Sequence, residues 1–366
     1  MTDINLPFMY YVFFASIFGL IIGSFLNVVI HRIPRGESIV SPGSHCPACR
    51  NPIGAFDNIP LLSYVLLRGR CRNCNIRVSS VYPFVEAITA LLFIAIILKS
   101  GPSWQAMLEM IFACVMLALV FIDARHHLLP NMITYPAFLF ALAAATVLGG
   151  LGDWASGTIG ISIVIPALEL GISPLRAALI GGFLFALAAP GFWLLDRLDL
   201  VLFNKYFEWE EMNEEGERDE EAIESRYRLT IYGTMIAGLL VAAGWAFAVI
   251  YFSPNEPQAF DDAYKGLLGA SGGALLGGGL IWWLRAVYFY IRGFEGMGLG
   301  DVKMMAIVGA FLGWRGTFGV LLLGSIIGVV VGSILAFRGK QGFKTPLPFG
   351  VCLGIASLIV LLIAKH

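Results

Sequence analysis

Two aspartates lie at the ends of apolar segments, where a charged side chain is expensive. Asp123 closes the run Met110–Ile122, and Asp301 opens the run that continues through Met304–Trp314. A carboxylate at bilayer depth costs about 3 kcal/mol even on insertion-based scales, so its presence there indicates a function. Two adjacent carboxylates cannot both ionise easily and share one proton. Such a pair could hydrolyse a peptide, with one carboxylate as base towards water and the other protonated towards the carbonyl oxygen.

Four cysteines have the spacing of a metal site. Cys46-Pro-Ala-Cys49 and Cys71-Arg-Asn-Cys74 are two C-x2-C pairs separated by 21 residues. Four thiolates at this spacing can close a tetrahedral zinc site, which is structural because no position is left open for water. Two disulfides are the alternative, but we expect a cytoplasmic loop, where thiols stay reduced.

The composition sets the class of protein. The 366 residues are 58% hydrophobic and 13% charged, with a mean hydropathy of +0.80. A soluble domain cannot hide this much apolar surface, so we predict an all-α polytopic membrane protein of about 8–10 transmembrane helices with a small cytoplasmic zinc-binding loop domain. The net charge of −1 says little about partners. We expect a lipid bilayer and no nucleic acid, and the oligomeric state stays open.

Apolar segments of about 20 residues predict the transmembrane helices. Their ranges are 7–30, 81–98, 104–122, 131–150, 174–195, 230–252, 266–290, 302–336 and 348–364. The segment 302–336 is long enough to cross twice by folding back near Gly313–Gly316. The short segment Thr158–Leu170 is interpreted as re-entrant or as lying on the surface, because it contains Pro166 and Glu169.

The distribution of arginine predicts the orientation. Residues 31–80 contain seven arginines and no lysine, which by the positive-inside rule places this loop in the cytoplasm and the N-terminus outside. Counting crossings from there places both aspartates on the cytoplasmic face. The sequence shows no cleavable signal peptide in Pro7–Ile30.

Several motifs now give a resemblance to a known family. Gly298-Leu299-Gly300-Asp301 resembles the GxGD signature of intramembrane aspartyl proteases, and GMGLGDVKMMAIVGAFLGW (296–314) resembles the type IV prepilin peptidases in particular. Asp123, followed by Pro130-Asn131, is similar to that family's first-aspartate motif. Further matching segments are GSFLNVVIHRIPRGES (23–38), DNIPLLSYVLLRGRC (57–71), YPFVEA (82–87) and TPLPFG (345–350).

The resemblance implies a bifunctional enzyme of the bacterial inner membrane. It would cleave the leader of type IV prepilins or type II secretion pseudopilins on the cytoplasmic side, with Asp123 and Asp301 as the catalytic pair. It would then N-methylate the new N-terminal residue with S-adenosylmethionine. The zinc loop is the family's methylation-associated region, and Gly69 and Arg70 match a Gly-basic pair linked to methylation.

Other residues are expected to support these sites. Glycines Gly298 and Gly300 would let the backbone approach an extended substrate. Lys303 could hold a carboxylate, although we expect its amine to extend to the lipid headgroups. Asp301 could also be the N-cap of the next helix, and Glu86 could pair with an arginine of the loop.

The motifs divide the chain into five regions. These are the first transmembrane helix (1–30), the cytoplasmic zinc loop with its four cysteines (31–80), helices that include the first catalytic aspartate (81–195), an insertion atypical of the family with an acidic loop and two helices (196–290), and the GxGD segment with the C-terminal helices (291–366). The acidic stretch 196–228 is a solvated segment or a docking surface for a basic partner.

Two other functions are consistent with parts of the sequence. A secondary transporter also uses intramembrane acids and broken helices, but its site lies near the bilayer midplane, whereas these aspartates are predicted at one interface. A binding module built on the zinc loop would leave Asp301 without a role.

Overall fold

The computed structural model describes residues 6–150, 257–292, 297–338 and 349–364, together with the single positions Gly191, Leu194, Ile236 and Leu240. Throughout these ranges the regular elements are helices, and the extended pairing consists of two isolated β-bridges. Within the four described ranges, the α-helices are α1 (Leu6–Arg32), α2 (Leu62–Leu66), α3 (Val81–Ser100), α4 (Trp104–His126), α5 (Asn131–Gly150), α6 (Pro257–Arg292), α7 (Leu299–Arg338) and α8 (Phe349–Ile363).

Five of the described helical segments are long and apolar enough to cross a membrane. They are Phe8–Arg35, Val81–Ser100, Trp104–His126, Gly266–Arg292 and Leu299–Ile334, and two shorter apolar helices cover Asn131–Thr146 and Phe349–Ile363. The prediction of an all-α polytopic membrane protein is thereby confirmed. The predicted helices 174–195 and 230–252 and the predicted re-entrant segment 158–170 lie outside the ranges that the structure describes.

Residues up to His127 form one compact unit. Its membrane helices α1 and α3 lie very close, because α1 presents glycines where they cross. A Cβ atom added at Gly19 would lie 2.6 Å from the Cα of Ala90, and one at Gly23 would lie 2.7 Å from the Cα of Glu86. Small residues at such a crossing let two backbones approach and gain van der Waals contact in lipid.

A buried polar cluster joins α3 to α4 at the other end of this unit. Glu109 is fully buried and accepts hydrogen bonds from Lys99 Nζ at 3.1 Å, Ser100 Oγ at 3.0 Å and Gln105 Nε2 at 2.8 Å. A buried carboxylate needs such partners because its desolvation is costly. The three donors therefore compensate the buried charge of Glu109.

Residues from Leu128 onwards form a second compact unit. Its helices α6 and α7 meet along a line of glycines, where a Cβ at Gly273 would collide with the carbonyl of Gly309 and one at Gly277 with the carbonyl of Met305. The helix α6 begins at Pro257, before the predicted start at residue 266.

The predicted reversal within 302–336 is found at Gly313. This residue has φ 68° and ψ −176°, values that interrupt the helix and that glycine tolerates best. Along α6, Gly273 lies beside Gly309 and Gly313, whereas Gly277 lies beside Met305 and Thr317. One position on α6, Gly277, therefore contacts residues on both sides of Gly313 that are 12 apart in sequence. A straight helix would separate these residues by about 18 Å, so α7 folds back on itself at Gly313.

Candidate functional site

Asp123 lies in the last turn of α4 and is 6% exposed. His127 ends the helix in a left-handed conformation and donates its backbone N–H to the Asp123 carbonyl oxygen at 3.0 Å. A carboxylate is disfavoured at a helix C-terminus because it faces the negative end of the helix dipole. The position therefore gives Asp123 no benefit from the helix dipole.

Asp301 is the third residue of α7 and is 7% exposed. Its backbone N–H donates to the Gly298 carbonyl oxygen at 3.2 Å. The interpretation of Asp301 as an N-cap was wrong, because the helix already begins at Leu299. A carboxylate in the first turn is still stabilised by the positive end of the helix dipole.

Lys303 is buried rather than extended to the headgroups. Only 4% of it is exposed, and its Nζ donates to Asn131 Oδ1 at 2.7 Å and lies 5.2 Å from the centre of the Tyr135 ring. The expectation that Lys303 snorkels was wrong, because a polar partner within the protein replaces water around the amine. The contact joins the GxGD segment to the Pro130-Asn131 motif that follows the first aspartate in sequence.

The two glycines of the GxGD segment have different surroundings. A Cβ at Gly300 would lie 2.9 Å from the side chain of Leu129, whereas at Gly298 the nearest atom would be 3.9 Å away. Packing against Leu129 therefore disfavours a side chain at position 300. The open space at Gly298 is compatible with the predicted approach of a substrate.

Arg285 is a buried cation that the sequence analysis missed. It is 1% exposed, and its Nε donates to the Met297 carbonyl oxygen at 2.9 Å, immediately before the GxGD segment. An arginine within the apolar stretch Gly266–Arg292 was the signal that could have identified it. Its contact fixes the backbone that leads to Asp301.

The four predicted metal ligands come together. The Sγ atoms of Cys46, Cys49, Cys71 and Cys74 all lie within 4.8 Å of one another, and those of Cys46 and Cys74 are 3.8 Å apart. A tetrahedral site with Zn–S bonds of about 2.3 Å has sulfur–sulfur edges of about 3.8 Å. All four are free thiols, so the donor set fits a closed tetrahedral site and the two-disulfide alternative is not found.

Both cysteine pairs are held by the same backbone turn. The amide of Arg50 donates to the Cys46 carbonyl at 2.8 Å, and that of Asn75 donates to the Cys71 carbonyl at 3.0 Å. Arg50 and Asn75 each follow the second cysteine of their pair and have φ of 56° and 57°. The turns are closed by the bridges His45–Pro52 and Arg70–Arg77.

The thiol pKa values within the cluster diverge. Hydrogen bonds from the backbone amides of Cys49 and Ala48 lower the pKa of Cys46 to about 6. The amide of Ile76 acts to lower the pKa of Cys74, but desolvation and the neighbouring thiols outweigh it and raise that pKa to about 11. The lowered pKa of Cys46 favours its thiolate, which is the form that binds a metal.

Gly69 has a structural reason to be glycine. Its φ is +66°, and a Cβ there would lie 2.9 Å from the ring and the hydroxyl of Tyr64. Its N–H donates to the Tyr64 carbonyl at 2.8 Å, and its carbonyl accepts from the Val78 amide at 2.8 Å. Gly69 thus ends the α2 region and starts the turn that carries Cys71, while Arg70 is exposed.

An exposed ion pair connects the second cysteine turn to the preceding loop. Arg72 donates to both carboxylate oxygens of Asp57, at 2.8 Å and 2.6 Å. The Arg72 guanidinium lowers the pKa of the Asp57 carboxyl, and the carboxylate raises the pKa of Arg72. The bidentate geometry orients the segment around Cys71.

The side chain of Glu86 binds a backbone amide of the loop rather than one of its arginines. The residue is 8% exposed, and its Oε2 accepts the N–H of Leu61 at 2.9 Å. The expected pairing with an arginine is therefore replaced by a backbone contact, which attaches the loop to α3.

Two family models match the chain. The bacterial Peptidase A24 N-terminal domain matches residues 17–100, which include the four cysteines. The type IV leader peptidase family matches residues 227–333, which include Asp301 and part of the segment 196–290. Asp123 lies between the two matched ranges.

Relatives align with most of the chain. A protein of Aeromonas hydrophila named prepilin leader peptidase/N-methyltransferase is 29% identical over 98% of this chain and 92% of its own length. A protein of Pseudomonas aeruginosa with the same name is 26% identical over 96% of this chain and 90% of its own length. One of Myxococcus xanthus is 41% identical, but over 41% of this chain and 45% of its own length.

No solved structure matches the chain. The two family models cover the cysteine loop and the GxGD segment, and relatives carrying a single name extend over nearly the whole length. The sequence motifs, the helical architecture and these matches agree, and the chain belongs to the type IV leader peptidase family.

Proposed function

We propose that this protein cleaves the leader from type IV prepilins or type II secretion pseudopilins and then N-methylates the new N-terminal residue. The observation that carries the proposal is the match of both halves to the leader peptidase domains, together with full-length relatives named for both activities. The comparisons give no support to the transporter alternative. The binding-module alternative would leave the match over Asp301 unexplained.

The cleavage step is assigned to Asp123 and Asp301. One carboxylate, in its ionised form, removes a proton from water as the water attacks the scissile carbonyl carbon. The other, protonated, donates its proton to the carbonyl oxygen. The tetrahedral intermediate then collapses and the C–N bond breaks. The leaving nitrogen takes the proton that the first carboxylate had removed from water, and a hydroxyl proton of the intermediate returns to the second carboxylate, which restores the starting state of the pair. Burial of both side chains supports this assignment, because desolvation favours a pair that holds one proton.

The reaction is proposed to occur at the cytoplasmic face of the bacterial inner membrane, with the N-terminus outside. The arginine-rich loop 31–80 supports this orientation by the positive-inside rule. The prediction that both aspartates reach this face rests on the count of crossings, two of which lie outside the described ranges.

The four-cysteine cluster is proposed to bind one structural zinc ion. The separation of 3.8 Å between Cys46 Sγ and Cys74 Sγ supports this proposal, because it equals the sulfur–sulfur edge of about 3.8 Å expected around a tetrahedral zinc ion. The ion would join the two cysteine turns and stabilise the loop that the family associates with methylation. Gly69 and Arg70 then serve methylation through the shape of this loop.

The methyl transfer uses S-adenosylmethionine as donor. When bound, the donor would supply an electrophilic methyl group, and the new α-amine must be deprotonated to accept it. Since cleavage creates this amine, the peptidase step must come first.

A two-step assay in detergent tests the proposal. Purified protein is mixed with a prepilin whose basic leader ends in Gly before Phe, first without and then with S-adenosylmethionine. We expect a leader-free product in the first case and the same product heavier by one CH2 group in the second. An intact substrate with monodisperse, zinc-loaded protein would contradict the peptidase function.

A further inference from the structure

One face of the short helix α2 is apolar and uncovered. Leu62, Val65 and Leu66 have the i, i+3, i+4 spacing of a single helix face, and they are 51%, 70% and 71% exposed. Phe56, in the neighbouring 3-10 helix Ala55–Asn58, is 86% exposed. The residues that the structure describes thus leave half or more of each of these residues uncovered, and an exposed apolar patch of this kind marks an interaction surface.

The depth of α2 is set by its contact with a membrane helix. Glu86 is five residues beyond Val81, the first residue of α3, and a helix rises about 1.5 Å per residue, so Glu86 lies about 7.5 Å along the helix. Its carboxylate accepts the N–H of Leu61, directly before α2. The start of α2 is therefore held at the level of the second turn of a membrane-spanning helix.

The backbone at Leu61 supports a fixed attachment. Leu61 has φ 57° and ψ −47°, a conformation that a leucine adopts only when its surroundings impose it. The Glu86 contact provides that constraint and aims the following helix. The apolar side chains of α2 can then be buried by the lipid that surrounds the first turns of α3.

The charges that follow α2 suit a lipid surface. Arg68 and Arg70 are exposed and come directly after the apolar face. A short apolar surface with adjacent arginines is typical of segments that lie in the boundary between headgroups and acyl chains, where the aliphatic side chains enter the lipid and the guanidinium groups meet phosphates.

We propose that α2 is an interfacial membrane element. Its apolar face, formed by Leu62, Val65 and Leu66, lies in the lipid boundary at a depth set by the contact between Glu86 and Leu61. This arrangement holds the four-cysteine cluster close to the membrane surface. The proposal concerns the lipid and does not depend on either enzymatic activity.

Photo-crosslinking in lipid nanodiscs tests the proposal. A photoreactive amino acid replaces Val65 or Leu66 in protein reconstituted with phosphatidylethanolamine and phosphatidylglycerol, and the matched control replaces Asn51, which is exposed on the first cysteine turn. We expect a several-fold higher yield of lipid adducts at the two α2 positions. Equal yields, or main products with the same chain or a second copy, would overturn the proposal.

A second measurement uses the wild-type protein and so cannot fail through misfolding. Nanodiscs containing a phospholipid with a diazirine in its acyl chain are irradiated, and the modified peptides are identified by mass spectrometry. Adducts should occur on residues 61–67 and be absent from residues 44–53. Absence of adducts from 61–67, with the transmembrane helices labelled, would refute the interfacial position.

Discussion

At individual positions, charged and polar side chains within the apolar helices are buried against specific partners. Lys303 contacts Asn131, and Glu109 is surrounded by three donors. The sequence predicted where several of these charges lie because a charge in an apolar run is conspicuous. It could not predict the partner of Lys303, since Asn131 is 172 residues away.

The clustering of the four cysteines was predicted from their spacing in the sequence. Their spacing restricts them to two tight turns, and the structure brings the four sulfur atoms together as expected. The role of Gly69 was less predictable, because the contact of its backbone with Tyr64 depends on how α2 ends.

Substitution of Gly69 should damage the loop. Gly69→Ala forces alanine into a left-handed conformation and places its Cβ against Tyr64, which should cost about 1–2 kcal/mol. We expect a lower midpoint of thermal unfolding and weaker zinc retention. Gly54→Ala is the matched control, since Gly54 has φ −65° and no atom within 4 Å of an added Cβ. Equal stability of the two variants would contradict this account.

At the scale of elements, the long apolar helices follow directly from the sequence because lipid requires about 20 consecutive apolar residues. The reversal of α7 was also predictable, since Gly313–Gly316 interrupts an apolar run of double length. The helix α2 was not predicted, because five residues carry too little periodicity to be recognised.

The glycine contact between α6 and α7 should be intolerant of side chains. Gly273→Ala would press a methyl group into the Gly309 carbonyl, and such overpacking costs about 1–3 kcal/mol. Gly272→Ala, with open space around its Cβ, should be neutral or slightly stabilising. Thermal unfolding in detergent compares the two. A Gly273→Ala protein as stable as Gly272→Ala would show that these helices do not pack as described.

The attachment of the loop to α3 should depend on an acceptor at position 86. Glu86→Ala leaves the Leu61 N–H without its acceptor, which should cost about 1–2 kcal/mol locally and increase proteolysis of residues 31–80 by roughly 5- to 30-fold. Glu86→Gln keeps a carbonyl oxygen and should stay close to wild type. Equal protection of the loop in wild type and Glu86→Ala would contradict the contact.

At the scale of the whole molecule, the chain combines a loop domain and a proteolytic segment that match separate family models. The order of motifs along the sequence predicted this combination. The predicted helices between residues 151 and 256 and the role of 196–290 stay predictions, as does the meeting of the two aspartates.

Loss of zinc should affect methylation more than cleavage. Cys71→Ser removes one of the four thiolates, so we expect metal to be released and methyl transfer to fall by roughly tenfold or more, while cleavage falls less. Cys352→Ala is the control, because Cys352 is buried in α8 outside the cluster. Zinc content by elemental analysis and both activities are measured together. Full zinc retention in Cys71→Ser would refute the four-thiolate site.

The most direct test of the central claim is the rate of prepilin cleavage by wild type, Asp123→Asn and Asp301→Asn, measured side by side in detergent. Asparagine keeps the shape of each side chain but cannot exchange the proton. We predict that wild type cleaves the leader and that neither variant does, with zinc content and monodispersity unchanged. Cleavage at the wild-type rate by either variant would contradict the assignment of the two aspartates as the catalytic pair.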